Sequence, residues 1–288
     1  MASLKEVKTR IASVNNTRKI TSAMKMVASS KLHRAQQSIE NMRPYESRMT
    51  RMMTAFVGSM EGEIDTPYAA VRPVKRVAIV VYTSNSSLCG GFNANVIRAM
   101  RNKVEAYKKE GVEVARVIAL GRKGADAARK LGFADTGDYT ALMDRPAFQP
   151  AADIAEELMK QFAAGEIDRA DVIYHHFKSS ASQVLTEETF LPVRLHEAEE
   201  EATTPADYIV EPSREAVVGQ LIPSVLRLQL YTALLDSLAS EHAARVIAMQ
   251  IATDNADELL QELTLTYNKT RQDAITTELL DIAGGSMQ

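Results

Sequence analysis

Apolar positions at alternating spacings of three and four mark both ends of the chain. From Ser224 to Ala283, sixty residues contain no glycine and no proline. Pro223 precedes the stretch and Gly284–Gly285 follow it, which is helix punctuation at both ends. Positions 225, 228, 232, 235, 239, 242, 246, 249, 253, 256, 260, 263, 267, 270, 274 and 277 form one line of Val, Leu, Thr, Leu, Ala, His, Val, Met, Thr, Ala, Leu, Leu, Tyr, Thr, Ala and Thr. At about 1.5 Å per residue such a helix spans about 90 Å, wider than an ordinary domain. The line is rich in Ala and Thr, which bury little area, and its one residue able to carry charge is His242. A coiled coil built on it is expected to be weaker than a Leu/Ile zipper, and so to work inside a surrounding partner.

Met1 to Arg43 also lacks glycine and proline. Leu4, Val7, Ile11 and Val14 follow 3–4 spacing. The apolar line then moves to Ile20, Met24 and Val27, and again to Leu32, Ala35, Ile39 and Met42. Such slips predict local changes of supercoil winding. Pro44 is expected to interrupt or bend the helix, which resumes at Met49–Val57. Gly62, Pro67 and Pro73 mark a linker over 61–73.

The texture changes at Val77–Tyr82, a continuous β-favouring run typical of a strand buried on both faces. A polar loop from Thr83 to Phe92 follows. Asn93 then caps a helix with Val96, Ile97, Met100, Val104 and Tyr107 on one face. Further strands are expected at 114–120, 171–177 and 188–193, with a short edge strand at 208–210. Helices are expected at 122–131 and 153–162, and 134–150 reads as irregular. The alternation predicts a Rossmann-like, mostly parallel α/β domain inserted between two terminal helices that pair as a long antiparallel coiled coil. The expected divisions are 1–73, 74–212 and 213–288.

Composition changes this picture little, but charge does. The chain has 288 residues, 45% hydrophobic and 25% charged, a globular composition with an ample core. No apolar run approaches about 18 residues, so no membrane span is expected. The net charge of −3 hides a polarity. Residues 1–57 carry eleven Lys/Arg against three Asp/Glu, and residues 224–288 carry four against nine. A basic head and an acidic tail suit paired helices, and a basic arm also suits an acidic partner.

No catalytic constellation emerges. The loop Thr83–Phe92 sits where α/β folds bind phosphates, but it is neither GxGxxG nor a Walker A loop. Gly121-Arg-Lys-Gly124 follows the second strand with no acidic residue placed to hold a ribose. A polar turn is the favoured reading. The single cysteine, Cys89, has no basic neighbour in sequence and reads as a small buried hydrophobe. His175 and His176 are adjacent on a strand, so their rings point to opposite faces and share no metal. The acid run 197–201 lacks a calcium-loop pattern. Residues 1–43 have no aromatic side chain for nucleic-acid stacking. No cofactor, metal or nucleic acid is expected.

Four stretches carry a resemblance. Ile11-Ala-Ser-Val-Asn-Asn-Thr-Arg-Lys-Ile-Thr-Ser-Ala-Met-Lys-Met-Val-Ala-Ser-Ser-Lys31 is similar to the N-terminus of the gamma subunits of F-type ATP synthases, bacterial ones in particular. Ser84-Asn-Ser-Ser-Leu-Cys-Gly-Gly-Phe-Asn93 resembles their central loop, with Asn85 and Ser87 where Asp and Gly are usual. Ser240–Met249 with Asp254-Asn255 resembles the lower shaft, and Tyr267–Glu278 resembles its tip. Asp207-Tyr-Ile-Val-Glu-Pro212 is similar to the segment meeting the membrane rotor, with Val210 where tyrosine is common.

The resemblance implies a non-catalytic central rotor shaft that couples transmembrane proton flow to ATP synthesis or hydrolysis at a ring of alpha and beta subunits. It implies a foot against the epsilon subunit and the c-subunit ring, peripheral to the cytoplasmic face of the inner membrane. Residues implied at the alpha/beta ring are Lys19, Met24, Lys25, Arg34, Arg245, Asn268, Arg271, Gln272 and Thr276. Tyr208 and Glu211 are implied at the foot. Met24 is expected near Arg245 in an antiparallel pair. The rival reading is a nucleotide-dependent α/β enzyme with coiled-coil arms.

Overall fold

The structure, a computed structural model, describes residues 3–58, 66–134, 136–193, 211 and 213–285. Two compact units are formed: Lys31–Ala244, and Met1–Ser30 together with Arg245–Gln288.

The unit of Lys31–Ala244 is built on a four-stranded sheet. Strand β1 (Arg76–Tyr82) lies between β2 (Glu113–Leu120) and β3 (Arg169–Ser179), parallel to both. Strand β4 (Ser182–Leu191) returns antiparallel beside β3, so the order is β2-β1-β3-β4. The fourth strand therefore begins earlier than the sequence pattern suggests and closes a hairpin. Its alternating, half-exposed residues lack the continuous apolar run of β1 because it is an edge. The proposed edge strand at 208–210 and the acidic run 197–201 lie outside the described residues.

Every residue of β1 from Val77 to Tyr82 is buried. Val77, Ile79 and Val81 face the helices α2 (Phe92–Lys109) and α3 (Arg122–Lys130). Ala78, Val80 and Tyr82 face the opposite layer. That layer holds the short α4 (Thr140–Asp144), α5 (Phe148–Ala163) and the part of α6 (Arg214–Gly285) in this unit. Met53 and Phe56 of α1 (Leu4–Gly58) join it. Tyr82 ties the layer together by donating its phenol to the Leu230 carbonyl at 2.8 Å. The apolar face of α5 is the expected one: Ile154, Leu158 and Phe162 are buried.

Both terminal helices are longer than their punctuation suggests. α1 continues through Pro44, and α6 begins nine residues before Pro223 and passes through it. Proline removes one helical donor and crowds the preceding turn, a cost that packing of the flanking residues offsets. Ile39 precedes Pro44 in the core and Met53 follows it, while Val218 and Leu226 do the same for Pro223. One 18-residue window of α6 reaches mean hydropathy 1.2, apolar enough by composition to cross a membrane, contrary to the expectation from apolar runs. Packing answers it: Ile222, Leu226, Leu230 and Leu234 spend that apolar surface in the core. The expected linker is also partly structured. Arg72 donates to the carbonyls of Phe162 and Ile167 at the end of α5 and pairs with Asp168 at 3.0 Å.

In the unit of Met1–Ser30 and Arg245–Gln288, α1 and α6 run antiparallel. Arg18 pairs with Asp257 at 2.9 Å, Thr21 bonds Thr253 at 2.9 Å, and Lys25 donates to Gln250 at 2.6 Å. The residue numbers of each pair add to 274 or 275, which defines the register. On α1 the inward positions are Leu4, Val7, Ile11, Val14, Arg18, Thr21, Lys25 and Ala28. The 3–4 spacing therefore runs without slips. The expected stutters came from following apolar residues alone; the line continues through polar ones, and Ile20 and Val27 face outward at 59% exposure each. The line assigned to α6 holds from Met249 to Thr270: Met249 and Ala256 are buried, and 253, 260, 263, 267 and 270 are half-buried; it fails at Ala274 and Thr277, which are exposed where α6 has no facing turn of α1.

Candidate functional site

The most enzyme-like feature is the loop after β1. Asn93 does not cap α2 with its side chain. It reaches back instead, its Oδ1 accepting from the Ser84 N–H at 2.9 Å and its Nδ2 donating to Ser84 Oγ at 2.7 Å. The same amide contacts Cys89 Sγ at 3.2 Å. Cys89 is buried, as its apolar reading requires. Leu88 and Gly90 adopt positive φ, and only the latter is a glycine. Asn93→Ala is expected to cost about 2 kcal/mol, since the buried Ser84 N–H loses its acceptor. Urea unfolding of the two chains measures it.

The N-terminus of α3 lies beside this loop, and its donors are already engaged. Asn85 Oδ1 accepts from the Arg122 N–H at 3.1 Å, Ser84 O from Lys123 N–H at 3.2 Å and Thr83 Oγ1 from Gly124 N–H at 2.8 Å. A phosphate needs such donors free. Asn85 also donates to the Thr140 carbonyl at 2.8 Å, a bond that an aspartate could not make. Gly121 and Gly124 pack so closely against Thr83 that a Cβ on either would come within 3 Å of it. This geometry argues for a polar turn and disfavours the nucleotide-enzyme reading. The histidines separate as expected. His175 is buried and stacks on Phe92, and burial pushes its pKa down to about 4. His176 turns to the other face and meets Asp236 at 2.6 Å.

The paired-helix unit is the stronger candidate. Among its described residues few side chains are buried: Val7, Thr21, Ala28, Arg245, Met249 and Ala256. Its exposed apolar side chains are more numerous. Ile20, Met26 and Val27 lie on α1, and Ile247, Ile251, Leu259, Leu265, Ile275, Leu279, Leu280 and Ile282 on α6. Its cross-helix ion pair, Arg18–Asp257, is 40% and 47% exposed, a class worth about 0–1 kcal/mol. An exposed apolar surface on a weakly self-stabilised helix pair marks a protein-binding surface.

The implied contact residues fall into distinct environments. Lys19, Asn268, Arg271, Gln272 and Thr276 are exposed, as is Arg34 in the unit of Lys31–Ala244. Met24 is half-buried. Lys25 turns its amine to Gln250 of the facing helix, and Arg245 is 9% exposed. The register brings Met24 level with position 251 and Arg245 level with position 30. Their expected proximity is thus off by six residues, or about 9 Å along the axis. It also brings Leu4 level with Arg271, so Gln272 and Thr276 lie where α6 runs beyond the start of α1 in this unit. Glu211 is exposed, and Tyr208 lies outside the described residues. The outward apolar residues of α1 were missed by assigning Ile20 and Val27 inward. Counting spacing through Arg18, Thr21 and Lys25 would have found them.

Known proteins match this arrangement over its full length. A family model described as ATP synthase covers residues 3–287. The chain is 58% identical over 289 residues to the ATP synthase gamma chain of Phocaeicola vulgatus, covering 100% of both chains. It is 54% identical over 290 residues to the gamma chain of a Bacteroides fragilis strain, again covering 100% of both. With the gamma chain of Flavobacterium johnsoniae the identity is 46% over 286 residues, with 99% and 98% covered. Among solved structures, a central stalk/c-ring structure of the Tetrahymena thermophila mitochondrial ATP synthase aligns with TM-score 0.58 at 26% identity. It covers 81% of this chain and 99% of that one. A chain of the Euglena gracilis mitochondrial ATP synthase shares the fold at 22% identity, with TM-score 0.65 and 99% and 93% covered. On these matches, with the helix pair and inserted α/β sheet described above, the chain belongs to the ATP synthase gamma chain family.

Proposed function

We propose that this chain is the central-stalk rotor of a proton-translocating ATP synthase, without a catalytic site of its own. The observation that carries this is the helix pair whose exposed apolar side chains outnumber its buried ones. A rod of this kind, turning off-axis inside a ring of three alpha and three beta subunits, contacts three similar subunits unequally. Its angle then biases which conformation each adopts, by differential contact energy. Residues 1–73 and 213–288 serve as the shaft. Residues 74–212 serve as the foot against epsilon and the c-subunit ring, with Tyr208 and Glu211 at that contact. The complex sits peripherally on the cytoplasmic face of the inner membrane.

Ring contacts are assigned to Lys19, Met24, Lys25 and Arg34, to Arg245 and to Asn268, Arg271, Gln272 and Thr276. Lys25 and Arg245 act partly through the helix pair, since one holds Gln250 and the other is buried. Lys19 is therefore the cleaner test of a basic face meeting acidic loops. In complexes reassembled in vesicles, Lys19→Glu is expected to lower ATP-driven proton pumping about fivefold, the worth of about 1 kcal/mol for an exposed charge pair. The variant chain alone should melt as the unaltered one does. Full pumping with Lys19→Glu would remove the charge contact from the mechanism.

A further inference from the structure

Within the unit of Lys31–Ala244, β1 accompanies β3 only as far as Ile173, while β3 continues to Ser179. After Tyr82 the chain turns toward β2 instead, the Thr83 N–H donating to Leu120 O at 2.8 Å. Among the described residues no strand pairs with that side of β3 beyond Ile173; β4 lies on its other side. His175 and Phe177 are nevertheless buried. Buried backbone donors and acceptors need partners, so something other than a strand must supply them.

The two long helices take the strand's place. Ser237 Oγ of α6 accepts from the His175 N–H at 3.3 Å, and Ser240 Oγ donates to the His175 carbonyl at 3.1 Å. The Phe177 N–H donates to the Asp236 carboxylate, and the Phe177 carbonyl accepts from Arg43 of α1 at 3.1 Å. Asp236 also holds His176 Nδ1 at 2.6 Å. The N–H and carbonyl of both strand residues are thus matched, three of these groups by the α6 segment Asp236–Ser240. Ser237 and Ser240 share a helix face because they are three residues apart. Both are 0% exposed, and a serine is short enough to bring a helix against a strand edge.

We propose that Asp236, Ser237 and Ser240 form the clasp through which torque passes between the sheet and α6. This rests on the rotor reading and deepens it by naming positioning residues. Elsewhere α6 meets the sheet's layer through Ile222, Leu226, Leu230 and Leu234 and through the bond from Tyr82 to the Leu230 carbonyl. Apolar burial is non-directional, so it holds a helix on a sheet without fixing its turn about its own axis. Hydrogen bonds weaken steeply away from their preferred distance and angle, so the clasp fixes that turn. From the clasp α6 continues as one helix to Gly285. A turn imposed on the sheet reaches the exposed apolar residues of α6 only if the helix does not slip where the sheet grips it.

The test uses complexes reassembled in vesicles and driven by ATP. Slip shows only against a load, so two quantities are read: hydrolysis with an uncoupler present, and the steady pH gradient without it. Ser237→Ala combined with Ser240→Ala is expected to leave uncoupled hydrolysis unchanged. The steady gradient should fall to about half or less, since losing two buried hydrogen bonds shifts a clasped-to-slipped equilibrium about tenfold or more. Ser240→Ala alone should give a smaller fall, and it carries the test should the double variant not assemble. Leu158→Ala is the control for stability, because it removes packing from the same core and none of the clasp's hydrogen bonds. It should lower the melting temperature at least as much, yet keep the full gradient. A full gradient in the serine variants, or an equal fall with Leu158→Ala, would overturn the clasp and leave the rotor reading in place. No ATP-driven gradient with the unaltered chain would overturn both.

Discussion

Ending the chain at Ala244 is expected to bring ATP-driven proton pumping in reassembled vesicles to background. ATP hydrolysis by the alpha/beta ring should persist at a reduced level. The truncation removes the α6 half of the helix pair, including Thr253 and Asp257, which hold Thr21 and Arg18. It also removes every exposed apolar residue of α6 from Ile251 to Ile282. Without that surface, the angle of the foot has no differential contact by which to bias the ring, so coupling is lost before chemistry is. The unit of Lys31–Ala244 keeps its whole sheet and both core clusters. Circular dichroism and a cooperative melt of the truncated chain should show this. A second variant lacking residues 1–30 as well keeps the unpaired α1 segment from confusing the result. Pumping above half of the full-length level would show that the shaft does not carry the coupling.

Gly121→Ala should be the most damaging single substitution in the α/β unit. Gly121 has φ of +105°, where an L side chain is strained by about 1–3 kcal/mol. A Cβ there would lie 2.0 Å from the Thr83 carbonyl oxygen and 2.9 Å from Thr83 Oγ1. Thr83 cannot retreat freely. Its N–H donates to Leu120 O at 2.8 Å, and its hydroxyl accepts from Gly124 N–H at 2.8 Å. Strain plus a broken buried hydrogen bond predicts a loss of about 4 kcal/mol, at the severe end for one residue. Urea unfolding of the full chain measures it. Gly111→Ala is the control, because its φ is +73° but nothing lies within 4 Å of the added Cβ. It should cost only about 1–2 kcal/mol, the left-handed penalty alone. Equal losses at the two positions would mean that the approach of Thr83 does not matter.

Much of the fold is legible in the sequence, for reasons particular residues show. Val77–Tyr82 reads as a central strand because both of its faces are buried. The α6 line from 249 to 270 reads correctly because its period survives substitution by Ala and Thr. The α1 line failed where its inward residues are polar. Arg18 and Lys25 lie there because Asp257 and Gln250 answer them from the other helix. That is a pairing between residues more than 200 positions apart, and no local pattern encodes it. The prolines misled for a similar reason: packing on both sides of Pro44 and Pro223 offsets a local cost.

The candidate sites divide in the same way. The exposed tip residues Arg271, Gln272 and Thr276 were accessible from motif resemblance, since they lie contiguously on one helix. The clasp of Ser237 and Ser240 on His175 was not, because its hydrogen bonds join residues 62 and 65 positions apart.

The sequence by itself determined the helical ends, the buried parallel strands and the lack of a phosphate-binding motif, since these follow from local periodicity, glycine placement and residue type. Only the tertiary structure decided the register of the helix pair and which apolar side chains remain outside it. Those properties depend on which distant side chain arrives to satisfy a charge or cover a surface.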